Sequence, residues 1–415
     1  MNSKLKKTLI IITNGFPLSN SEIFLEKELD YLKKYFSDIT IISCNPKINE
    51  LPKKTNKELN VLEWTCNYHL KKIRSLMFMF HPLFWKEIYR IRNQYQKKIS
   101  ITIIKAACSG LFYAVKLKKT VLELVQKTKN EVVVYSYWFD NNALAIALLN
   151  KNIKKVVRAH GWDLYNERTP INYQLFSDYI ESKIDQLHFI SEDGANYYMD
   201  AYKPNPKKII ISKLGVENNF NITDIENYDK GETLNIVSNS FIYPNKRIDL
   251  LIDCISKLKM NVRWIHIGGG YKQIYFQQIL SLANKKLDEL KNVSFEFTGN
   301  ITNKEVYELY RENQIDLLIN LSLSEGLPVT FMEAFSFAIP VLATDVGGVK
   351  EIINHKSGFL VNKHDSSVII ANKINDFWAL NSTEIKNLKI NAYDKWKNEF
   401  NSDVNYDSFA KKVTH

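Results

Sequence analysis

DLLINLSLSEGLPVTFMEAFSFAIPVLATDV, residues 316–346, decides the fold. Two short apolar runs, DLLINLS (316–322) and PVLATDV (340–346), are long enough for buried strands and too short for helices. Between them PVTFMEAFSFA reads as a helix, which Pro328 is placed to begin because the first helical turn needs no N–H from proline. Strand, helix, strand at this spacing is a parallel crossover unit. The same stretch keeps Glu325 and Glu333 with seven residues and no other charge between them. A buried carboxylate is costly unless something pairs with it or donates to it. A ligand can be that partner.

The alternation extends along the chain. Strand candidates precede it at 8–13 (TLIIIT), 38–43, 131–137, 155–161, 186–191 and 208–212. After Gly215 the polar stretch VENNFNITDIENYDKGET reads as a linker, and the pattern restarts at 234–240, 263–270, 293–299, 316–322, 340–346 and 358–361. Two doubly wound α/β domains facing a cleft follow, with ligands expected at the carboxyl ends of strands.

Composition narrows the class. The 415 residues are 45% apolar, ample for sizeable cores. Cys44, Cys66, Cys108 and Cys254 are scattered without metal or redox spacing, and are expected to be buried reduced thiols. The start, MNSKLKKTLIIITNGFP, reads as a first strand rather than an export signal, since its apolar run stops at Asn14-Gly15. No run of eighteen apolar residues occurs; ISITIIKAACSGLFYAVKL comes nearest and carries Lys105 in its middle.

The net charge is +11, and it is localised: between Tyr68 and Asn130 stand fourteen Lys and Arg against Glu87 and Glu123. A basic field of this kind seeks an anionic partner. Within it LMFMFHPLFWKEIYRIRNQYQKK mixes aromatics with Lys and Arg, as helices lying on a membrane do, with Phe78, Phe80, Phe84 and Trp85 as the candidate insertion set. An ordinary solvated helical face is the competing reading. Nucleic acid, the other anion, has no recognisable binding signature here, so none is expected as a partner.

Glu325 falls in the loop between strand and helix. The unpaired amides around Val329, Thr330 and Phe331 suit an anion such as phosphate, and Glu333 lies one turn, roughly 5 Å, below them. A nucleoside diphosphate fits, with phosphates at the helix tip and ribose on Glu333. The alternative is that Glu325 only favours the helix terminus and Glu333 makes a structural bond.

SEGLPVTFMEAFSFAIPVLATDVGGVKEII resembles the E-x7-E region of the retaining family-4 glycosyltransferases, which have the two-Rossmann GT-B fold. IVSNSFIYPNKRIDLLI is similar to that family's phosphate-binding strand and helix, RAHGWDLY to its catalytic-histidine segment, and ITNGFPLSNSEIFLEKELDYL to the first loop and helix of its capsule and exopolysaccharide members. The resemblance implies an N-terminal acceptor-side domain over 1–215 that includes the basic helical region 68–130, a nucleotide-sugar domain over 216–395, and a C-terminal helix over 396–415 returning to the N-terminal domain. It implies that His160 and Glu325 are catalytic, Glu325 on the donor sugar's hydroxyls and His160 against the reacting sugar. It implies that Lys246 neutralises the diphosphate, that Glu333 holds ribose, and that Gly326, Leu327, Val329 and Thr330 complete the donor site. Gly15, after the first strand, would let backbone approach the phosphates. Where the family commonly has an arginine this chain has Phe241, so Arg247 is the candidate replacement, against a reading as a solvated helix charge. Asp163 could touch acceptor or sugar, or cap a helix.

No metal and no separate cofactor are expected, since Asp-x-Asp is absent, and IHIGGG (265–270) lacks the full dinucleotide fingerprint. The expected function is transfer from a UDP- or GDP-sugar to a lipid-linked or other saccharide acceptor in bacterial surface-polysaccharide synthesis, at the inner face of the cell membrane. The rivals are another two-Rossmann enzyme, an epimerase or a phosphorylase, and a two-lobed sugar-binding protein, which would need an export signal.

Overall fold

In the computed structural model the described residues are 7–19, 22, 24–44, 59–66, 71–150, 152–218, 220–226, 228–270 and 272–415. The basic start of the chain and the first residues of the basic segment, Tyr68 to Leu70, lie outside them. The chain divides into two compact units, one of residues 1–213 with 404–415, the other of residues 214–403.

The first unit is built on a parallel sheet of seven strands: β1 (Lys7–Thr13), β2 (Asp38–Cys44), β3 (Asn60–Trp64), β4 (Glu131–Ser136), β5 (Lys154–Ala159), β6 (Gln186–Phe189) and β7 (Ile209–Ile211). Their order is β3-β2-β1-β4-β5-β6-β7, so the direction of winding reverses between β1 and β4. β1 and β4 are buried on both faces, which is why their sequences are nearly continuous Leu, Ile and Val. Strand β3 was not expected. It is an edge strand, part-exposed, and NVLEW carries neither a clean alternation nor an apolar run.

Helix Ser402–Thr414 closes this unit from Val404 on. Tyr406 packs on Tyr31, and Phe409 on Tyr135 and under the guanidinium of Arg158. Arg158, wholly buried on β5, pairs with Glu28 of helix Phe24–Leu32 and donates 2.9 Å to the carbonyl of Ser212. Burial raises the Glu28 carboxyl and Arg158 pulls it back down.

The longest apolar stretch is helix Ile101–Gln126, started by Ser100, whose side chain accepts from the Ile103 amide. Ile103, Ala107, Leu111, Ala114, Leu117 and Val121 form its buried stripe at intervals of three and four, while Lys105 faces solvent. Among the described residues no helix is long and apolar enough to cross a membrane. In the neighbouring helix Pro82–Asn93 Phe84 is buried, and in the short turn before it, Met77–Phe80, Phe78 lies edge-on against Phe112. The insertion set read from sequence is therefore corrected: Phe84 is a core residue and Phe78 packs on the core, whereas Leu76, Met77, Phe80, Trp85, Tyr89 and Ile101 are exposed, Phe80 to 88%.

The second unit repeats the plan with β8 (Thr233–Asn239), β9 (Asn261–Ile267), β10 (Val293–Gly299), β11 (Leu317–Asn320), β12 (Val341–Thr344) and β13 (Gly358–Val361), in the order β10-β9-β8-β11-β12-β13. The winding reverses between β8 and β11. The polar stretch after Gly215, expected as a linker, is packed into this unit. Ile225 is buried, and the Tyr228 hydroxyl donates 2.8 Å to Asp316. Isolated apolar anchors within a polar run are enough to fold it down. All four cysteines are buried.

Candidate active site

The chemistry-bearing residues gather in one cluster per unit. In the second unit they occupy the loops at the carboxyl ends of β8 and β11, the pair at which the sheet reverses. After β8 the chain makes a tight turn, Pro244–Lys246, and Arg247 sits in the left-handed region at φ 49° before helix Ile248–Ile255 begins. After β11 the loop runs through Glu325 to Pro328, and helix Val329–Ser336 follows. The two loops are zipped together: Leu323 N–H donates 2.9 Å to the Asn245 carbonyl, and the Asn245 side chain donates 3.1 Å to the Ser324 carbonyl.

This zipper brings Lys246 against Glu325, with Nζ 2.6 Å from Oε1. Asn320, at the end of β11, donates 3.2 Å to the same oxygen. The carboxylate is thus satisfied in the absence of ligand by the cation expected to hold phosphate. Gly347, at φ 55°, and Gly348 bring the loop after β12 onto this one: a Cβ at Gly347 would meet the Glu325 carbonyl at 2.1 Å. Gly348 N–H donates 2.9 Å to the Gly326 carbonyl, and Leu327 is buried beneath. The SEGLP loop therefore has one backbone path.

Glu333 faces inward from helix Val329–Ser336 and is 6% exposed. Its Oε1 accepts from the Asn303 amide at 3.1 Å and, at the limit of hydrogen-bond length, from the Tyr307 hydroxyl at 3.5 Å. Both donors stand on helix Asn303–Glu312, whose start is fixed by a reciprocal Thr302–Glu305 cap. Burial raises the Glu333 carboxyl from 4.5 to about 7, with Tyr307 and Asn303 opposing the rise. Val329 and Thr330 form the first turn of the Glu333 helix. Arg247 spends its guanidinium on the main chain: Nε donates 2.6 Å to the Leu321 carbonyl and Nη1 2.8 Å to that of Lys363. It is neither a freely solvated charge nor free for a bidentate grip, and only Nη2 lacks a partner.

The first unit's cluster lies on the loops after β1, β4 and β5. Gly15 turns the chain after β1, its carbonyl accepting from Leu18, Ser19 and the Ser43 hydroxyl. The Glu22 carboxylate anchors the same loop by accepting from the Asn14 and Phe16 amides at 2.6 and 2.8 Å. It also accepts, at 2.7 Å, from the indole of Trp138, which follows β4. Trp138 and Tyr137 flank the His160 ring, with centroids 4.5 and 4.7 Å away. His160 is buried, and among the described residues neither ring nitrogen has a hydrogen-bond partner, Nδ1 standing 3.8 Å from Asp163 Oδ2. An unpaired buried imidazole is what a site awaiting a polar ligand looks like. Asp163, expected to touch acceptor or sugar or to cap a helix, caps none. It is buried and gives one oxygen to the His160 amide at 2.7 Å and the other to the Phe139 amide at 2.8 Å, fixing the loop that carries the histidine.

Sequence reading missed Glu22, Trp138, Asn303, Tyr307 and Asn320. Asn303 was within reach, because T-N-K-E after a strand announces a helix whose first residue it is. Glu22 gave no signal, because two of its partners are backbone amides of its own loop and the third, Trp138, comes from a loop distant in sequence. Among the described residues no cluster of His, Cys, Asp or Glu has the makings of a metal site.

Residues 221–395 match the family model described as Glycosyl transferases group 1. An uncharacterized glycosyltransferase of Methanocaldococcus jannaschii is 26% identical over 62% of this chain and 68% of its own length. The O-antigen biosynthesis glycosyltransferase WbnH of Escherichia coli is 34% identical, over only about a third of each chain (32% and 34%). Among solved structures, Anabaena HepE in complex with UDP and glucose superposes over 99% of both chains with a TM-score of 0.67 at 16% identity. Two six- or seven-stranded parallel sheets, the charged loops at their switch points and these matches together make the chain a glycosyltransferase of GT-B fold, with residues 221–395 similar to the glycosyl transferases of group 1.

Proposed function

We propose that the protein transfers a sugar, with retention of configuration, from a nucleotide donor to a saccharide acceptor, lipid-linked, in bacterial surface-polysaccharide assembly. The observation that carries the reading is the Lys246–Glu325 pair beside a helix whose second turn holds the buried Glu333. Breaking the bond between the sugar's anomeric carbon and the diphosphate leaves negative charge on phosphate oxygens. Lys246 and the first-turn amides near Val329 and Thr330 stabilise that charge as it forms. Donor binding would draw Lys246 from Glu325 to phosphate, freeing Glu325 for the sugar's hydroxyls while Asn320 still holds it. Glu333 takes ribose, and His160 takes a hydroxyl near the reacting carbon. Arg247 acts mainly by holding the turn that carries Lys246. UDP in HepE, and the O-antigen and colanic acid roles in the names of WbnH and WcaL, favour a UDP-sugar and a polysaccharide pathway.

The basic helices support a location on the inner face of a membrane as part of the same reading. Met77, Phe80, Trp85 and Tyr89 are exposed beside Arg74, Lys86, Arg92 and Lys98, the pairing of apolar insertion with cationic attraction that binds an anionic bilayer from the cytoplasmic side.

The test of the reaction is a thermal-stabilisation screen with UDP, GDP and ADP and their glucose, galactose and N-acetylglucosamine conjugates. A nucleotide at a hundredfold excess over its Kd stabilises by about 2.7 kcal/mol. No shift with any of them refutes the donor assignment.

A further inference from the structure

The loop that carries His160 presents a second feature that neither catalysis nor folding uses. Trp162, two residues on, is 47% exposed, although its neighbours Asp163 and Leu164 are buried and hold the backbone on which it stands. Its indole rests on that of Trp138, centroids 5.1 Å apart, and Trp138 in turn rests on His160 and is pinned through its ring nitrogen by Glu22. The exposure is therefore that of an aromatic plate held from below by a second ring and by the Asp163 clamp.

We infer that Trp162 is the stacking platform for a pyranose ring of the acceptor, which the His160 imidazole helps to orient through its hydroxyls. This rests on the reading of the protein as a transferase acting on saccharides, and adds where the acceptor binds. A pyranose has an apolar face of C–H groups and a rim of hydroxyls. The face matches the exposed indole, and the rim matches a buried imidazole that makes no hydrogen bond among the described residues, its Nδ1 lying 3.8 Å from Asp163 Oδ2 and its Nε2 left for a hydroxyl. His160, Trp138 and Trp162 are in successive contact, so plate and imidazole lie within the span of a disaccharide. Asp163 is buried behind the imidazole, accepting from the His160 and Phe139 amides, and serves as the support beneath the plate.

The donor sugar is the other possible source of a pyranose, and the test separates the two. Wild type, Trp162→Ala and Trp162→Phe, each saturated with UDP or GDP, are applied to an array of mono- and disaccharides ending in glucose, galactose, N-acetylglucosamine, N-acetylgalactosamine, mannose or rhamnose. Covering roughly 50 Å² of indole at about 25 cal/mol per Å² corresponds to about a tenfold change in affinity. The wild type should retain a subset of these saccharides, Trp162→Ala should hold them about tenfold more weakly, and Trp162→Phe should recover most of the loss. Stabilisation by UDP, and its increment on going to UDP-glucose, should be the same in all three. Equal array binding by Trp162→Ala overturns the inference, as does an array on which the wild type retains nothing. A Trp162→Ala loss confined to UDP-glucose overturns it by assigning the plate to the donor. Absence of any nucleotide effect in the wild type refutes instead the underlying transferase reading.

Discussion

Glu333→Gln is the substitution whose consequence can be worked furthest from the structure. The Glu333 carboxyl is buried and its pKa rises from 4.5 to about 7 on folding. Each pH unit between those values is worth about 1.36 kcal/mol, so holding the group charged in the empty protein costs about 3 kcal/mol. The sign follows from a folded value above the unfolded one. Below pH 4.5 the carboxyl is protonated in both states and costs nothing; the penalty grows from 4.5 to about 7 and is constant above. Glu333→Gln should therefore be more stable than wild type at pH 8, by up to about 3 kcal/mol, and equal to it near pH 4.5. Ribose hydroxyls donating to the carboxylate favour its charged form, so nucleotide affinity moves the other way. It should fall about tenfold per pH unit below 7 in the wild type beyond any change shared with Glu333→Gln, whose own carboxamide does not titrate. The shared part removes the titration of the diphosphate itself. Asn303→Ala, which removes the donor at 3.1 Å, should push the midpoint above 7. Urea unfolding from pH 4.5 to 8 and calorimetry with UDP from pH 5.5 to 8 supply the two readouts. Parallel UDP profiles for wild type and Glu333→Gln would show that ribose is not on this carboxylate, and no stabilisation at pH 8 would show that the burial argument is wrong.

The double alternation of strands and helices was legible because parallel strands buried on both faces are written as runs such as LIII and VVVY, which few other structures require. Glu325, Glu333, Lys246 and His160 were legible as positions, each at or just beyond the carboxyl end of a strand. Their partners were not. Lys246 finds Glu325 only because Asn245 zips two loops across the sheet, and Glu333 meets Asn303 only because β10 delivers the next helix to its side. Such pairings are set by strand order, which a pattern of hydrophobicity does not encode. The basic helices show the same limit in another form. Phe78, Phe80, Phe84 and Trp85 are alike in composition, but helix phase turns Phe84 into the core and Phe80 and Trp85 to solvent. The backbone clamp made by Asp163 was not legible, because an acidic residue three positions after a histidine suits a substrate contact and a clamp equally well in sequence.

Three further outcomes are expected. Lys246→Ala should weaken UDP by roughly 1 to 3 kcal/mol while Glu325→Gln spares UDP and lowers turnover, since only the lysine is assigned to phosphate; calorimetry showing UDP unaffected by Lys246→Ala refutes the assignment. Glu28→Ala removes the carboxylate paired with the buried Arg158, leaving it neutral partners such as the Ser212 carbonyl and the Phe409 ring, and should cost roughly 3 to 5 kcal/mol in urea unfolding; a loss under about 1 kcal/mol would mean that the guanidinium finds water. The last concerns the bilayer, where charge and apolar insertion respond differently to salt. Changing Arg74, Lys86, Arg92 and Lys98 to Gln removes about 1 kcal/mol of attraction per residue, an effect that fades as the Debye length shrinks from about 8 Å at physiological salt to about 3 Å at 1 M. Changing Met77, Phe80, Trp85 and Tyr89 to Ser removes the exposed apolar surface, which salt does not screen. In co-sedimentation with phosphatidylserine vesicles, the charge variant should therefore fail at low salt and converge on the wild type at 1 M, whereas the apolar variant should bind at low salt and release completely at 1 M. If the two variants and the wild type share one salt curve, or if neutral vesicles bind as well as anionic ones, the exposed aromatics on these helices are not a membrane surface.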